Sequence, residues 1–114
     1  MEKKSTKKIS KKQLEKILAE HILWRKKVGG SKANLFRIDL SGMDLSGTDL
    51  SETDLYGSNL SGADMRNSDL TNAVLLGTCL VGAILSDANL SGTDIFFAHM
   101  GDMNTITTPA ITGI

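Results

Sequence analysis

Few side chains in this sequence have the chemistry for catalysis or metal binding. The 114 residues include one cysteine, Cys79, and two histidines, His21 and His99. A cysteine beside a histidine can form a reactive thiolate or bind a metal. A zinc site needs further ligands, and neither a Gly-x-Ser-x-Gly elbow nor a phosphate-binding loop accompanies the many serines and aspartates. We therefore expect no enzymatic activity, no cofactor and no bound metal.

The elements that carry these residues are built on a five-residue period. Leu or a close substitute recurs at every fifth position from Leu35 to Met100, and a small residue usually precedes it by two positions. Asp or Asn usually stands directly before the central residue, and Gly, Asn or Asp usually follows it by two positions. The pattern runs through fourteen consecutive pentads in residues 33–102.

A period of five suits neither regular element. Five residues turn a helix by about 140°, which scatters the leucines, and on a strand an odd period sends alternate leucines to opposite faces. Burying every central residue requires a chain that turns a corner in each pentad, so that each pentad forms one wall of a square coil. Gly, Asn and Asp tolerate the positive φ of such corners. Residues twenty apart then stack at about 4.8 Å, the spacing of paired strands.

The pentads A-N-L-F-R, S-N-L-S-G, A-D-M-R-N and A-N-L-S-G resemble the pentapeptide-repeat family, whose consensus is A(D/N)LXX. The resemblance implies an all-β solenoid, a right-handed quadrilateral β-helix, over residues 33–102. Residues 103–112 can be read as two degenerate pentads that extend it. Three consecutive pentads depart from the consensus, with Val74, Cys79 and Ile84 in place of Asp or Asn. The resemblance is specific for fold and not for function.

A solenoid needs a cap at each end, because its terminal turns expose core and unpaired backbone. Ser10 and Gln13 fit a capping box and Gly29 fits a C-terminal stop, which predicts a capping helix from about Lys11 to Val28. The chain thus divides into a flexible basic arm (1–9), the capping helix (10–29), the repeat coil (33–102) and a C-terminal tail (103–114).

The predicted helix carries an apolar stripe that must be buried, and a helix lying across the open end of the coil would bury it there. The stripe comprises Leu14, Ile17, Leu18, His21, Trp24 and Val28, widened by Ile22 and Leu23. Ile38 and Met43, larger than the residues at the same repeat position elsewhere, are predicted to meet it. His21 lies in the stripe, and we expect it to pack there and take no part in catalysis. A helix before the first turn with His and Trp three apart, as in His21 and Trp24, also resembles other family members.

The chain is neutral overall but its two halves are oppositely charged. Residues 1–32 carry eleven basic and three acidic side chains, and residues 33–102 carry two basic and ten acidic ones. The basic arm is interpreted as a solvated extension, with attraction to nucleic acid or an anionic membrane surface as the alternative. The sequence shows neither a secretory signal nor a membrane span, and Cys79 has no disulfide partner, so we expect a cytoplasmic protein.

One outward column is apolar. Large apolar side chains recur at intervals of twenty, with two more beside them, and together we call them the apolar column: Phe36, Tyr56, Leu76 and Phe96, with Val74 and Phe97. A patch of this kind marks a contact site. We expect it to bind another protein or a second copy of the chain as a homodimer. The alternative is that the C-terminal tail or a lysine stem covers it.

Other columns are acidic. The acidic surface comprises six aspartates on the coil: Asp39, Asp44, Asp49, Asp54, Asp64 and Asp69. The resemblance implies that such a surface imitates DNA, as in family members that protect gyrase from quinolones, although so short a coil would have to dimerise end to end. The alternative is that each aspartate bonds its own turn. The sequence therefore predicts a non-catalytic interaction module, with a DNA mimic that binds a topoisomerase or another DNA-binding enzyme as the alternative.

Overall fold

The computed structural model describes residues 6–95 and 98–99. Three short elements open this part of the chain: strand β1 (Lys7–Lys8), helix α1 (Lys11–Arg25) and strand β2 (Ile38–Asp39). The remaining pentads form a coil of isolated bridges and turns. Within the described residues, no helix has the length and apolar character that a bilayer span requires.

Parallel bridges join residues twenty apart in the coil. They run along four columns that begin at Asn34, Asp39, Asp44 and Asp49. Each turn therefore has four walls, one for each pentad, as the five-residue period predicts. The chain is a β-helix solenoid, and its right-handedness stays a prediction from the resemblance.

Each wall is tied to the next turn by backbone hydrogen bonds in both directions. In one example the Leu50 N–H donates to the Asp69 carbonyl at 2.8 Å, and the Asp69 N–H donates to the Thr48 carbonyl at 2.9 Å. At the corners, the first residue of a four-residue turn accepts from the fourth, as when the Leu40 carbonyl accepts from the Met43 N–H at 3.2 Å. Gly42, the third residue, has a φ of 70°, which is the conformation that a type II turn requires there.

The interior is the predicted aliphatic ladder. The central residue of every pentad from Leu35 to Leu90 is at most 3% exposed. Alanines, serines and threonines two positions earlier fill the remaining space, and Ala63, Ala83 and Thr78 are fully buried. A narrow coil can therefore exclude water with almost no aromatic side chains, because the small residues let its walls approach one another.

Two buried threonines at the same repeat position differ in their bonding. The Thr78 hydroxyl donates to the Leu55 carbonyl at 2.8 Å, whereas the Thr53 hydroxyl is buried and has no hydrogen-bond partner among the residues that the structure describes. A buried hydrogen bond contributes about 1 kcal/mol, and an unpaired buried polar group costs at least as much. We expect Thr78→Val to lower the free energy of unfolding by about 1 kcal/mol and Thr53→Val to raise it by a similar amount. Urea titrations followed by circular dichroism measure both, and shifts in the same direction would contradict the assignment.

The start of α1 matches the sequence prediction, but its end does not. The Ser10 hydroxyl accepts from the Gln13 N–H at 3.0 Å and the Gln13 side chain accepts from the Ser10 N–H at 2.8 Å, which confirms the capping box. The helix ends at Arg25 and not near Val28, because Lys27 adopts the left-handed conformation with a φ of 61°. Lys27 occupies the helix-terminating position that was predicted for Gly29.

Backbone bonds define the motif that ends α1. The Val28 N–H donates to the Leu23 carbonyl at 3.1 Å, and the Lys27 N–H donates to the Trp24 carbonyl at 3.0 Å. This pair of bonds is a Schellman motif.

α1 packs on the first turn of the coil. Leu14 is buried and belongs to the same apolar cluster as the leucine ladder. Ile38 and Met43 are partly buried against this cluster, as the sequence predicts. The helix therefore covers one end of the ladder.

The basic arm is partly built into the fold. β1 pairs in parallel with β2, Lys7 opposite Ile38 and Lys8 opposite Asp39, and the Lys7 N–H donates to the Arg37 carbonyl at 2.9 Å. The prediction of a flexible arm over residues 1–9 is therefore wrong for Lys7 and Lys8, because this pairing satisfies backbone groups at the edge of the first turn. The rest of the arm up to residue 5, the extension to residue 112 and the tail over 103–114 lie outside the described residues.

Candidate interaction surface

The apolar column lies along one wall of the coil. The Arg37 N–H donates to the Tyr56 carbonyl at 2.8 Å and the Gly57 N–H donates to the Leu76 carbonyl at 3.0 Å, which holds successive turns in register. The Phe36 and Tyr56 rings stack, with centroids 5.4 Å apart and planes 15° from parallel. Phe36 remains 46% exposed, while Tyr56 and Leu76 are half-buried. Phe96 and Phe97 lie outside the described residues.

Polar groups border these rings. The Arg37 guanidinium carbon lies 5.8 Å from the centroid of the Phe36 ring, within the range of a cation–π contact. The Asn34 and Asp54 side chains accept from the Phe36 and Tyr56 N–H groups at 3.1 and 3.0 Å. The neighbouring position on the third turn is Val74, half-buried between Asp54 and Asp94 in its column. The aromatic pair is thus held on a wall that becomes more apolar towards the third turn.

The acidic surface forms the predicted stacks. Asp44 pairs with Asp64 and Asp49 with Asp69 in the bridge columns. The same carboxylates also bond their own turns: each of the six accepts the N–H of the residue two positions later at 3.0 to 3.1 Å. This is the local bonding that the sequence left open as the alternative to DNA mimicry.

Hydrogen bonds keep several of these carboxyl groups ionised. Bonds from Ser41 lower the pKa of Asp39, bonds from Ser46 lower the pKa of Asp44, and those from Arg66 lower the pKa of Asp64. Burial raises the pKa of Asp49, but the bonds from Ser51 and Arg25 outweigh it, so that this pKa too is lowered. These four groups remain charged throughout the neutral range.

Basic side chains offset part of this charge. The Lys8 ammonium lies 3.4 Å from Asp39, the Arg25 guanidinium lies 3.3 Å from Asp49, and the Arg66 guanidinium lies 2.6 Å from Asp64. Arg25 also lies 3.6 Å from Glu52. Two of these cations come from the N-terminal segment, which therefore folds back on the acidic walls.

His21 joins α1 to the coil through two backbone groups. It is fully buried. Its Nδ1 accepts from the Ala33 N–H at 2.9 Å, so its Nε2 carries the proton and donates to the Ser51 carbonyl at 2.8 Å. The ring also stacks on Trp24 with centroids 5.6 Å apart. His21 is packed, as predicted, but sequence reasoning missed its bridging role, for which the position of a polar ring within an apolar stripe was the available signal.

Cys79 and His99 are vertical neighbours, as the stacking of residues twenty apart predicts. Cys79 is half-buried and His99 is exposed. Among residues 6–95 and 98–99, no group of three or more histidine, cysteine, aspartate or glutamate side chains is placed to hold a metal ion.

Two exposed apolar side chains were not assigned to a surface from the sequence. Val81 is 38% exposed and Ile84 is 39% exposed, on the two walls that follow the apolar column. The departure of Ile84 from the repeat consensus was a signal for this. The third turn therefore carries outward apolar residues on three of its four walls, counting Leu76 on the first.

Comparison with known proteins agrees with this architecture. A family profile described as pentapeptide repeats, in eight copies, matches residues 33–72, 49–87 and 68–100. The pentapeptide-repeat protein Rfr23 of the cyanobacterium Cyanothece 51142 is 36% identical with a TM-score of 0.52, over 70% of this chain and 56% of that one. The chain belongs to the pentapeptide-repeat family. A search of curated proteins finds no significant match.

Other solved structures are less similar. HetL of Nostoc sp. PCC 7120, a pentapeptide-repeat protein involved in the regulation of heterocyst differentiation, is 24% identical with a TM-score of 0.45, over 74% of this chain and 49% of that one. QnrB1, a plasmid-mediated fluoroquinolone resistance protein, is 19% identical with a TM-score of 0.39, over 65% and 41%. The chain spans about half the length of these proteins and of Rfr23.

Proposed function

We propose that this chain is a non-catalytic interaction module whose apolar column binds another protein, with a second copy of the chain as the first partner to test. The observation that carries the proposal is the stacked pair of Phe36 and Tyr56, in which Phe36 keeps almost half of its surface exposed. Aromatic side chains on a preformed surface lose little conformational entropy on binding and dominate the energetics of interfaces.

The backbone of this wall supports the same role. The bonds from Arg37 to Tyr56 and from Gly57 to Leu76 fix the vertical spacing of the side chains before any partner arrives. Binding to a preformed surface avoids the cost of ordering it. Arg37, at the edge of the pair, adds a cation that a partner's carboxylate would meet.

Sedimentation velocity tests this proposal with a matched pair of variants. We expect Phe36→Asp combined with Tyr56→Asp to weaken self-association or partner capture by at least about tenfold, because it places charge in the contact. Ile84→Asp is the control, since it puts the same charge on an exposed apolar position of the opposite wall. Binding that is unchanged in the double variant, or reduced equally in the control, would overturn the proposal, provided that both variants keep the wild-type circular dichroism spectrum.

The second candidate function is DNA mimicry, in which the acidic surface binds a topoisomerase or another DNA-binding enzyme in place of DNA. It is favoured by the stacked pairs Asp44–Asp64 and Asp49–Asp69, which set carboxylates one above another along two walls. Use of the carboxylates in local turns and their pairing with Lys8 and Arg25 weigh against it. A supercoiling assay in which micromolar protein neither inhibits nor protects gyrase would remove this candidate.

A further inference from the structure

α1 has two opposite stripes. The inner stripe meets the first turn of the coil through Leu14 and His21, which are both buried. The outer stripe follows the spacing four, three, four, three, and all of its members are exposed: Lys12, Lys16, Ala19, Leu23 and Lys26. Residues with this spacing share one face of a helix, so the outer stripe forms a surface at the end of the molecule that points away from the core.

This end of the molecule is strongly basic. Residues 6–32 carry nine basic and two acidic side chains, a net charge of +7. The ion pairs that join this segment to the coil use Lys8 and Arg25, neither of which belongs to the outer stripe. Among residues 6–95 and 98–99, no ion pair to the coil involves a lysine of the outer stripe, and Lys12, Lys16 and Lys26 are all exposed.

Exposed aliphatic side chains lie among these lysines. Ile22 and Leu23 are each 40% exposed and Val28 is 65% exposed. The prediction that they belong to the buried stripe is therefore wrong, because Leu23 lies on the face of α1 opposite Leu14 and His21 and Val28 lies beyond the end of the helix. On a helix surface Leu23 neighbours Ala19 and Glu20 on one side and Lys26 on the other, and Lys16 lies one turn beyond Ala19. A basic surface with protruding aliphatic residues suits an anionic lipid bilayer, where lysines meet headgroups and the aliphatic chains enter the acyl boundary.

Nucleic acid fits this surface less well. Single strands are held by stacking on aromatic side chains, and duplexes by phosphate contacts and groove-reading polar groups. Leu23 and Val28 offer neither kind of contact. The aspartates lie along the walls of the coil. Two of those in the first turn, Asp39 and Asp49, are paired with Lys8 and Arg25, which offsets their repulsion of anionic headgroups in an end-on approach.

We propose that the outer stripe of α1, with Ile22 and Val28, docks the protein end-on against an anionic membrane surface. The helix lies in the interface and does not insert further, because its opposite face is committed to the coil through Leu14 and His21. The walls then project away from the bilayer, and the apolar column stays accessible to other proteins.

Co-sedimentation of the full chain with vesicles tests the proposal. We expect binding to vesicles of phosphatidylcholine with 30 mol% phosphatidylserine and not to pure phosphatidylcholine, with affinity falling as salt is raised. Lys16→Glu should weaken binding by about tenfold, and Lys12→Glu with Lys16→Glu and Lys26→Glu by more than about a hundredfold. The matched control is Arg66→Glu, which reverses one exposed charge on a wall of the coil and should leave binding within about twofold.

The Leu23→Ser variant distinguishes binding to a membrane from binding to other polyanions. We expect it to weaken vesicle binding by about fivefold, whereas retention on duplex DNA, measured in parallel at the same salt concentration, should not change because it depends on the lysines alone. Equal binding to neutral and anionic vesicles would overturn the proposal, and so would an equal loss of binding in Lys16→Glu and Arg66→Glu. The proposal would also fail if Leu23→Ser bound vesicles as tightly as the wild type and duplex DNA displaced the protein completely from the vesicles. The variants change exposed positions, so melting temperatures near that of the wild type verify that each is folded.

Discussion

Replacement of His21 by alanine is expected to lower the free energy of unfolding by about 3 to 4 kcal/mol. The change leaves the Ala33 N–H and the Ser51 carbonyl without their partners in a buried site, and each such group costs about 1 to 3 kcal/mol. Loss of the ring that stacks on Trp24 adds a cavity between α1 and the coil. The loss of stability therefore weakens the contact between α1 and the first turn of the coil.

Trp24 provides the measurement, because it is the only tryptophan in the chain. Its fluorescence reports the docking of α1, while far-ultraviolet circular dichroism reports the helix and the coil together. In His21→Ala we expect the fluorescence transition to move to lower denaturant than in the wild type. The matched control is His99→Ala at an exposed position, which should stay within about 0.5 kcal/mol. A loss below about 1 kcal/mol in His21→Ala would show that the two bonds do not hold the helix in place.

Gly30→Ala is expected to lower the free energy of unfolding by about 3 kcal/mol or more. A Cβ at this position would fall on the Glu20 carbonyl oxygen and lie 2.7 Å from the Leu23 Cβ. Both are parts of α1, so the helix or the following loop has to move. Overpacking of this kind costs about 1 to 3 kcal/mol, and the φ of 75° at Gly30 adds about 1 kcal/mol for any residue with a Cβ.

A glycine in a turn of the coil separates the two contributions. Gly42 has a similar positive φ, 70°, but a Cβ there meets nothing within 4 Å. We expect Gly42→Ala to cost only the conformational part, about 1 kcal/mol. Chemical denaturation of both variants measures the difference. Equal losses would mean that the close approach of Gly30 to α1 contributes nothing to the stability of the cap.

The parts of the fold that could be predicted from the sequence are those that depend on the spacing of residues close together in the chain. Leu50 and Leu70 are buried because a period of five leaves no other way to remove each central residue from water. The capping box at Ser10 is likewise a local signal, with both partners within three residues. The stacking of Asp44 on Asp64 follows from four walls in each turn.

The features that were missed depend on contacts distant in sequence. The two partners of His21 lie 12 and 30 residues further along the chain, so its role emerges only when the helix is docked. The pairing of Lys7 with Ile38 likewise depends on where the arm passes the first turn. Lys27 ends α1 although glycine is preferred at that position, and the bonds of the last helical turn hold it in a conformation that propensity disfavours.

The same limit applies to the candidate surface. The alignment of Phe36, Tyr56 and Leu76 on one wall follows from the period, whereas the stacking of the first two rings and the outward exposure of Val81 and Ile84 required coordinates. Outward-facing side chains are not held by the close packing of the interior. The repeat pattern therefore determines on which wall they lie but not which side chains they contact.

The register of twenty residues has a consequence for how such a chain can change over time. Duplication of one pentad, for example after Gly62, would add a wall without altering the aliphatic interior, and every later side chain would rotate by a quarter turn about the axis. Leu76 would leave the line of Phe36 and Tyr56, although no residue had been substituted. Gain of four pentads would restore the original alignment and lengthen the face. In this architecture, insertions of five residues at a time rearrange the outward-facing side chains, whereas the buried aliphatic ladder stays the same.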